Sequence, residues 1–186
     1  MAQKRKDWNG LISGFKASDL VFLDESGCNT DMTRRYAYSL GGSRAVDSAP
    51  LSKPKNTTIL SSIQLDGTLR YTTFSGGTTE ERFKRYLETD LLPHLNGNSV
   101  DNMKSHHAKA VKNLLDSSGI RYIYLPPYSP DLNPIEKLWS KVKSFLRKFK
   151  ARTLDTLPNA IQCAFQTVSP SDCSGWFHSC GYSPYF

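Results

Sequence analysis

The strongest constraint on the fold of this chain is a proline-rich loop that leads directly into an amphipathic helix. Four prolines lie between residues 126 and 134, and each fixes its own φ, so the loop has few conformations. Asn133 is placed to cap the helix, Pro134 suits its first position, and Glu136 follows the cap by three residues. Apolar residues then recur at helical spacing and predict one buried stripe. The residues of this stripe are Ile135, Leu138, Trp139, Val142, Phe145, Leu146 and Phe149.

Glu136 has two interpretations. An Asn-x-x-Glu sequence is typical of a capping box, in which the glutamate only bonds back to the backbone of the cap residue. Alternatively, an acid at a rigid helix start, followed by basic residues, suggests metal and phosphate chemistry. The local sequence leaves both interpretations open.

The charge of the chain favours a polyanionic partner, since its formal net charge is +7 and its pI is near 9.2. Between residues 137 and 152 there are seven basic residues and no acid. A solvated helix face would have the same composition, but the position beside the face of Glu136 favours contact with a phosphate backbone. The residues predicted to make this contact are Lys137, Lys141, Lys143, Arg147, Lys148 and Lys150.

The chain has neither a run of about 18 apolar residues, which a membrane span needs, nor an apolar signal core after its charged N-terminus. We therefore expect a cytoplasmic protein with no membrane partner. None of the four cysteines forms a Cys-x-x-Cys pair, and we expect them to be packing residues.

The order of the predicted elements is a strand, a hairpin, and then alternating helices and strands. An apolar run at 20–23 suits a strand buried on both faces, and Asp66-Gly67 is a strong hairpin turn. An antiparallel group followed by βα units predicts an α/β fold, with a mixed sheet and helices on its faces. The predicted strands cover 20–23, 36–39, 57–65, 69–74, 100–101 and 120–125, and the predicted helices cover 4–17, 78–93, 105–118, 135–149, 154–167 and 171–180.

Three acids separated in sequence are expected at one edge of this sheet. Asp24 and Asp101 come at the ends of two predicted strands, and Glu136 starts a helix soon after a third. Carboxylates are the ligands that Mg²⁺ prefers, and two such ions activate water and stabilise the charged oxygens of a DNA phosphodiester during its hydrolysis or transfer. Glu25 and Asp131 are weaker candidates for the metal site. Glu25 should point to the other side of its strand, and Asp131 follows a proline in ordinary turn chemistry.

Three stretches of the chain carry a resemblance to a known family: residues 21–25, residues 101–103 with His106 and His107, and residues 124–136. Together they resemble the catalytic domain of a bacterial insertion-sequence transposase, in the mariner-like branch of the DDE transposases. The resemblance covers nearly the whole chain from about residue 17, and its last stretch is long and specific. Thirty-four residues lie between Asp101 and Glu136, which is the spacing of this branch.

The resemblance implies a ribonuclease-H-like mixed sheet with helices on both faces, plus short C-terminal helices. Residues 1–17 would form a helical lead-in, residues 18–150 the catalytic domain, and residues 151–186 a helical extension. It makes Asp24, Asp101 and Glu136 the catalytic and metal-binding triad, with two Mg²⁺ (or Mn²⁺) ions as the cofactor. The residues that it suggests as auxiliary are Asn102, His106 and His107.

The implied reaction is cleavage of DNA at a transposon end, after which the freed 3′-hydroxyl attacks target DNA, usually at a TA step. The implied partners are double-stranded DNA, as transposon ends and target, and further copies of the chain in a dimer or larger synaptic complex. The implied location is the bacterial nucleoid in the cytoplasm.

Two departures from the family pattern leave an alternative open. The chain begins almost at the catalytic domain, so we expect it to lack the helix-turn-helix that reads transposon ends. Only Val100 precedes Asp101 where an apolar run is expected, so two or three residues of a central strand are missing. The alternative is a truncated, catalytically impaired remnant that only binds DNA. A ribonuclease-H-like nuclease acting on RNA–DNA hybrids is a third candidate.

Overall fold

The structure, a computed structural model, describes residues 2–34, 36–48, 53–95, 100–103 and 109–182, and at 2–6, 100–103 and 109 it describes the backbone alone. A mixed five-stranded sheet forms the centre, with strand order β3-β2-β1-β4-β5. β1 pairs with β2 antiparallel and with β4 parallel. The strands are β1 (Leu20–Asn29), β2 (Asn56–Gln64), β3 (Leu69–Ser75), β4 (Val100–Met103) and β5 (Arg121–Ile123).

Helices lie on both faces of the sheet, which confirms the predicted fold class. The helix that carries residues 80–86 continues through a π-turn, Leu87–Leu91, and a 3₁₀ turn, Leu92–His94, so the predicted helical segment 78–93 is largely confirmed. The helices are α1 (Ala2–Ile12), α2 (Glu80–Tyr86), α3 (Lys109–Ser118), α4 (Ile135–Phe149), α5 (Leu157–Gln166) and α6 (Pro170–Ser179). Among the described residues, no helix has the length and apolar character needed to span a membrane.

β1 separates two hydrophobic clusters, because its alternate side chains enter opposite layers. Val21 and Leu23 pack with residues of α2 and α3. Phe22 packs with residues of α4, α5 and α6, and its ring meets that of Phe177 edge-on at a centroid distance of 5.3 Å. All three side chains on β1 are at most 2% exposed, which is the two-sided burial that the sequence predicted.

The β2–β3 hairpin turns at Asp66-Gly67 as predicted. The Asp66 carboxylate accepts a hydrogen bond from the backbone N–H of Thr68 at 2.8 Å, and Gly67 has φ of +92°, which favours glycine. A Cβ on Gly67 would lie 2.8 Å from Cα of Pro170. Glycine is therefore required here both by the turn and by the close approach of α6.

Several predicted elements are wrong in extent. β1 continues to Asn29 rather than ending at residue 23, and residues 36–39 form no strand. α1 ends at Ile12 rather than at residue 17. β5 is three residues long, and the described part of the predicted helix 105–118 begins at Lys109; residues 105–108 lie outside the described residues.

The C-terminal helices pack against α4 and share its hydrophobic cluster. α6 begins with a capping box, in which Ser169 and Asp172 each accept a hydrogen bond from the backbone N–H of the other. Asp172 also accepts a hydrogen bond from Lys141 Nζ of α4 at 2.6 Å. The Lys141 hydrogen bond, together with those from Ser169, lowers the pKa of Asp172 from 3.8 to about 2.

Asp172→Ala should lower the free energy of unfolding at pH 7 by about 1 kcal/mol, since the helix loses half of its capping box. The folded-state pKa lies below the ordinary value, so the stabilisation is present above about pH 4 and is lost as the pH falls towards 2. Urea unfolding measured between pH 7 and pH 2.5 should therefore show the difference between variant and parent shrinking with acid. Asp155→Ala, at an exposed position before α5, is the control; a pH-independent difference for Asp172→Ala would contradict the assignment.

Candidate active site

Asp24 is a buried acid in the middle of the central strand. It is the fifth residue of β1, and its exposure is 9%, so the prediction that it ends its strand is wrong. Its Oδ2 accepts a hydrogen bond from Nε1 of Trp139 in α4 at 3.3 Å. Glu25, the next residue, is exposed, as expected for the opposite side of the strand.

Glu136 lies in the first turn of α4 and is partly buried. Trp139 follows it by one helical turn, and the bond from Trp139 to Asp24 fixes that end of α4 against β1. The structure therefore places Asp24 on the strand that contacts α4 and Glu136 in the first turn of the same helix, although the two acids are more than a hundred residues apart in the chain.

The predicted helix cap is wrong. The backbone carbonyl of Asn133 accepts from the N–H of Glu136 at 3.1 Å, but its side-chain Oδ1 is buried and has no hydrogen-bond partner. No side chain caps the first turn of α4. Asn133 therefore does not make its half of the predicted capping box.

The proline loop before α4 is held by successive tight turns. Leu132 N–H bonds to Ser129 O at 3.2 Å, and Asn133 N–H bonds to Pro130 O at 3.1 Å. Tyr182, from the end of α6, donates its hydroxyl to the carbonyl of Leu132 at 2.7 Å. Tyr128 is 85% exposed and has φ of +57°, which is uncommon for a bulky residue. The loop is thus fixed in place, as the four prolines predicted.

Asp101 is described by its backbone, which pairs with Val21 of β1. Asp24 lies three residues further along β1, so the two backbone positions are offset by about 10 Å along the strand direction. Val21 faces the α2 and α3 layer, whereas Asp24 contacts α4. The described part of β4 covers Val100–Met103, and residues 96–99, on which the predicted shortness of this strand rests, lie outside the described residues.

Asn102 is likewise described by its backbone, which pairs with Phe22. His106 and His107 lie outside the described residues. Among the side chains that the structure does describe, no three acidic, histidine or cysteine residues are grouped closely enough to hold a metal ion.

The basic residues of α4 lie on two surfaces rather than on one face. Lys143 and Arg147 line a cleft at the end of β1, together with Arg34, Asn29 and Asp31. Burial beneath this cleft raises the pKa of the Cys28 thiol to about 11, although the nearby Lys143 charge acts in the opposite direction. Glu136 lies on the same side of α4 as Lys143 and Arg147. The cleft is therefore on the side of the helix that carries Glu136.

The second basic surface is a groove between α4 and α6, lined by Lys137, Lys141 and Lys148. Lys141 is paired with Asp172 across this groove. Lys150 is paired with Asp47, whose pKa is lowered chiefly by the hydrogen bond from Lys150. These two lysines therefore have acidic partners within the chain, which the sequence did not indicate.

Sequence reasoning missed two residues of the site. The apolar stripe includes Trp139 without indicating a polar role for it. A buried indole N–H needs an acceptor, and that need is the available signal. Arg34 lies in the long connection between β1 and β2 and had no signal, because only the folded chain brings it beside Lys143.

A family model described as the DDE superfamily endonuclease matches residues 19–158. The chain therefore belongs to the DDE endonuclease superfamily. No curated protein matches the chain.

The chain is also similar to solved Mos1 structures. A pre-cleavage Mos1 transpososome is 18% identical with a TM-score of 0.79, over 97% of this chain and 59% of that one. The Mos1 transposase paired-end complex with the left transposon end is 17% identical with a TM-score of 0.79, over 96% and 57%. The catalytic domain of Mos1 mariner transposase is 14% identical with a TM-score of 0.64, over 96% and 86%. The chain thus spans less than two thirds of the first two, and these likenesses establish the ribonuclease-H-like fold.

Insertion of three apolar residues after Ser99 should bring Asp101 into register with Asp24, because the present offset is three residues. We expect Mg²⁺-dependent nicking of supercoiled plasmid DNA to rise at least tenfold. A two-residue insertion is the matched control, since it would pair Asp101 with Leu23 instead. Equal nicking by the parent and both variants would show that the three-residue offset between Asp101 and Asp24 does not limit cleavage.

Proposed function

We propose that this chain is the catalytic domain of a transposase that cleaves DNA strands and transfers them with Mg²⁺ (or Mn²⁺), using Asp24, Asp101 and Glu136. The observation that carries the proposal is the position of Asp24. A buried carboxylate in the central strand lies against the start of the helix that carries Glu136. Family membership and the Mos1-like fold support the same conclusion.

Asp24 and Glu136 supply donors that fit hard divalent ions, and we propose that two such ions bind when Asp101 joins these acids. Carboxylate oxygens are the donors that Mg²⁺ and Mn²⁺ prefer, and Asp24 sits in the rigid sheet rather than in a loop. Mos1 paired-end complexes have been solved with Mn and with Mg, which supports the choice of ion. When bound, such ions would activate the attacking water and stabilise the leaving oxygen.

The protein's own residues would position the ions and the DNA. Asp24 and Glu136 are held on packed elements, so their geometry is set before substrate binds. Lys143, Arg147 and Arg34 would bind the phosphates of the strand that leaves the acid site. A water oxygen would bond to phosphorus as the P–O3′ bond breaks, with the water proton passing to the leaving 3′-oxygen. The freed 3′-hydroxyl would then bond to a target phosphorus as the target P–O3′ bond breaks and releases a target 3′-hydroxyl. No covalent protein intermediate is involved.

The proposed partners are transposon ends, target DNA and further copies of this chain. The Mos1 structures that it resembles include a paired-end complex and a strand transfer complex. We propose by analogy that this chain acts in a dimer or larger assembly. Its proposed location is the nucleoid, where such DNA is found.

Asp24→Asn and Glu136→Gln should each abolish metal-dependent cleavage, because each removes a metal-binding oxygen charge while preserving side-chain shape. The loss should exceed a hundredfold, and DNA affinity in an electrophoretic shift assay should change by less than threefold. The measurement uses plasmid nicking, in the parent chain and in the variant with three residues inserted after Ser99. Glu25→Gln, at the exposed neighbouring position of β1, is the matched control.

Retained cleavage by either active-site variant would refute the assignment of that residue. A panel of double-stranded DNA and RNA–DNA hybrid substrates separates transposase-type cleavage from hybrid-directed nuclease activity. Preferential cleavage of the RNA–DNA hybrid would exclude the proposed transposase function.

The pairing of Asp101 with Val21 favours a second candidate, a DNA-binding protein with impaired catalysis. In that case the acids would not assemble around metal. Thermal unfolding with increasing Mg²⁺ distinguishes the two, since only an assembled site gains stability on binding the ion. A rise in the unfolding temperature that depends on Asp24 would exclude the second candidate.

Substitution of both Lys143 and Arg147 by Gln should weaken DNA binding and flatten its dependence on salt. If each residue neutralises one phosphate, the slope of log K against log salt should fall by about 2. Lys137→Gln with Lys148→Gln, on the groove beside α6, is the matched control and should change the slope less. A larger change in the salt slope for the Lys137 and Lys148 control would indicate that DNA binds on the side of α4 that faces α6.

A further inference from the structure

Trp139 is a buried aromatic residue whose only polar atom is directed at a carboxylate. Its exposure is 4% and that of Asp24 is 9%. The indole Nε1 donates to Oδ2 of Asp24 at 3.3 Å, and the bond joins residues 115 positions apart. This bond directly joins α4 to the Asp24 carboxylate of β1.

A hydrogen bond to one carboxylate oxygen restricts the rotation of that group. Asp24 would otherwise rotate about its terminal torsion, which is broad for aspartate. A carboxylate accepts in about four directions, and the indole uses one of them, so the bond does not prevent metal coordination. Because the donor is neutral, it orients the carboxylate without competing for its charge, as a Lys or Arg would.

The location of Trp139 also links the two parts of the proposed site that carry Asp24 and Glu136. Glu136 is one helical turn before it on α4, and the indole anchors that turn to the strand of Asp24. A change at Trp139 therefore alters the orientation of Asp24 and its spacing from Glu136 together.

We propose that Trp139 is a positioning residue for the metal site, which orients the Asp24 carboxylate through its indole N–H and sets the affinity for divalent ions. This inference rests on the proposed function and adds to it a residue outside the acidic triad. Hydrogen-bond donors behind metal ligands typically change metal affinity 10- to 100-fold when removed.

The alternative role for Trp139 is packing alone. It belongs to the hydrophobic cluster of α4, α5 and α6, and an indole of this size contributes to stability wherever it is buried. A packing role predicts that substitution lowers the stability of the metal-free protein but leaves the metal affinity of the folded protein unchanged.

The test is Trp139→Phe, which keeps an aromatic ring and removes the N–H. Mn²⁺ binding to the folded chain is measured by electron paramagnetic resonance of the free ion, and metal-free stability by urea unfolding. We expect the dissociation constant for Mn²⁺ to rise about 10-fold. Incorporation of benzothienylalanine at position 139 is the second variant, since sulfur replaces the N–H while the bicyclic shape is kept. It should weaken Mn²⁺ binding to a similar extent.

Trp176→Phe is the matched control, because this tryptophan is partly buried against the same cluster on α6. It should change urea unfolding and leave Mn²⁺ affinity unchanged. If Mn²⁺ affinity is unchanged in both position-139 variants while Asp24→Asn abolishes binding, Trp139 is a packing residue and only this inference fails. If Asp24→Asn also retains full Mn²⁺ binding, the proposed function fails with it.

Discussion

The burial of β1 on both faces is the constraint on which the rest of the structure depends. A strand with apolar residues at successive positions needs a layer on each side, so α2 and α3 cover one face and α4 to α6 cover the other. The single polar side chain in this buried run is Asp24. Its carboxylate lies in the layer of α4, where the indole of Trp139 provides a donor. The burial of the strand and the position of the acid are therefore set by the same packing.

The site follows from the way α4 approaches this strand. Prolines and tight turns bring the chain to the helix in one orientation, and Tyr182 holds the loop from the end of α6. Along α4, Glu136 comes first, Trp139 one turn later, and all the basic residues except Lys137 beyond it. The basic residues then diverge to two sides of the helix, and only Lys143 and Arg147 remain on the side of the acid. The direction of the helix thus orders the acid and phosphate contacts along one side.

The elements that rest on local chemistry were predictable from sequence. The hairpin at Asp66-Gly67 and the α4 stripe are set by turn residues and apolar spacing, although Phe149, at the end of the predicted stripe, is 51% exposed. The predictions that failed depend on distant partners. β1 extends to Asn29 because β2 pairs with it throughout, and Lys141 meets Asp172 only after α6 packs. The offset of Asp101 from Asp24 could not be predicted either, because it is defined only by the pairing of β4 with β1.

The contact between Gly67 and Pro170 has a consequence for how the chain folds during synthesis. The hairpin turn can form as soon as its own residues emerge, but the surface against which it packs is made about a hundred residues later. Stacking of Tyr71 on Phe165 at 4.0 Å adds a second late contact to the same edge strand. The apolar side chains on this face of β3 thus stay uncovered on the ribosome until α5 and α6 have been made, and transiently exposed apolar surface is where chains associate wrongly. α5 and α6 therefore pack onto the sheet after β1 and β2 have been able to pair.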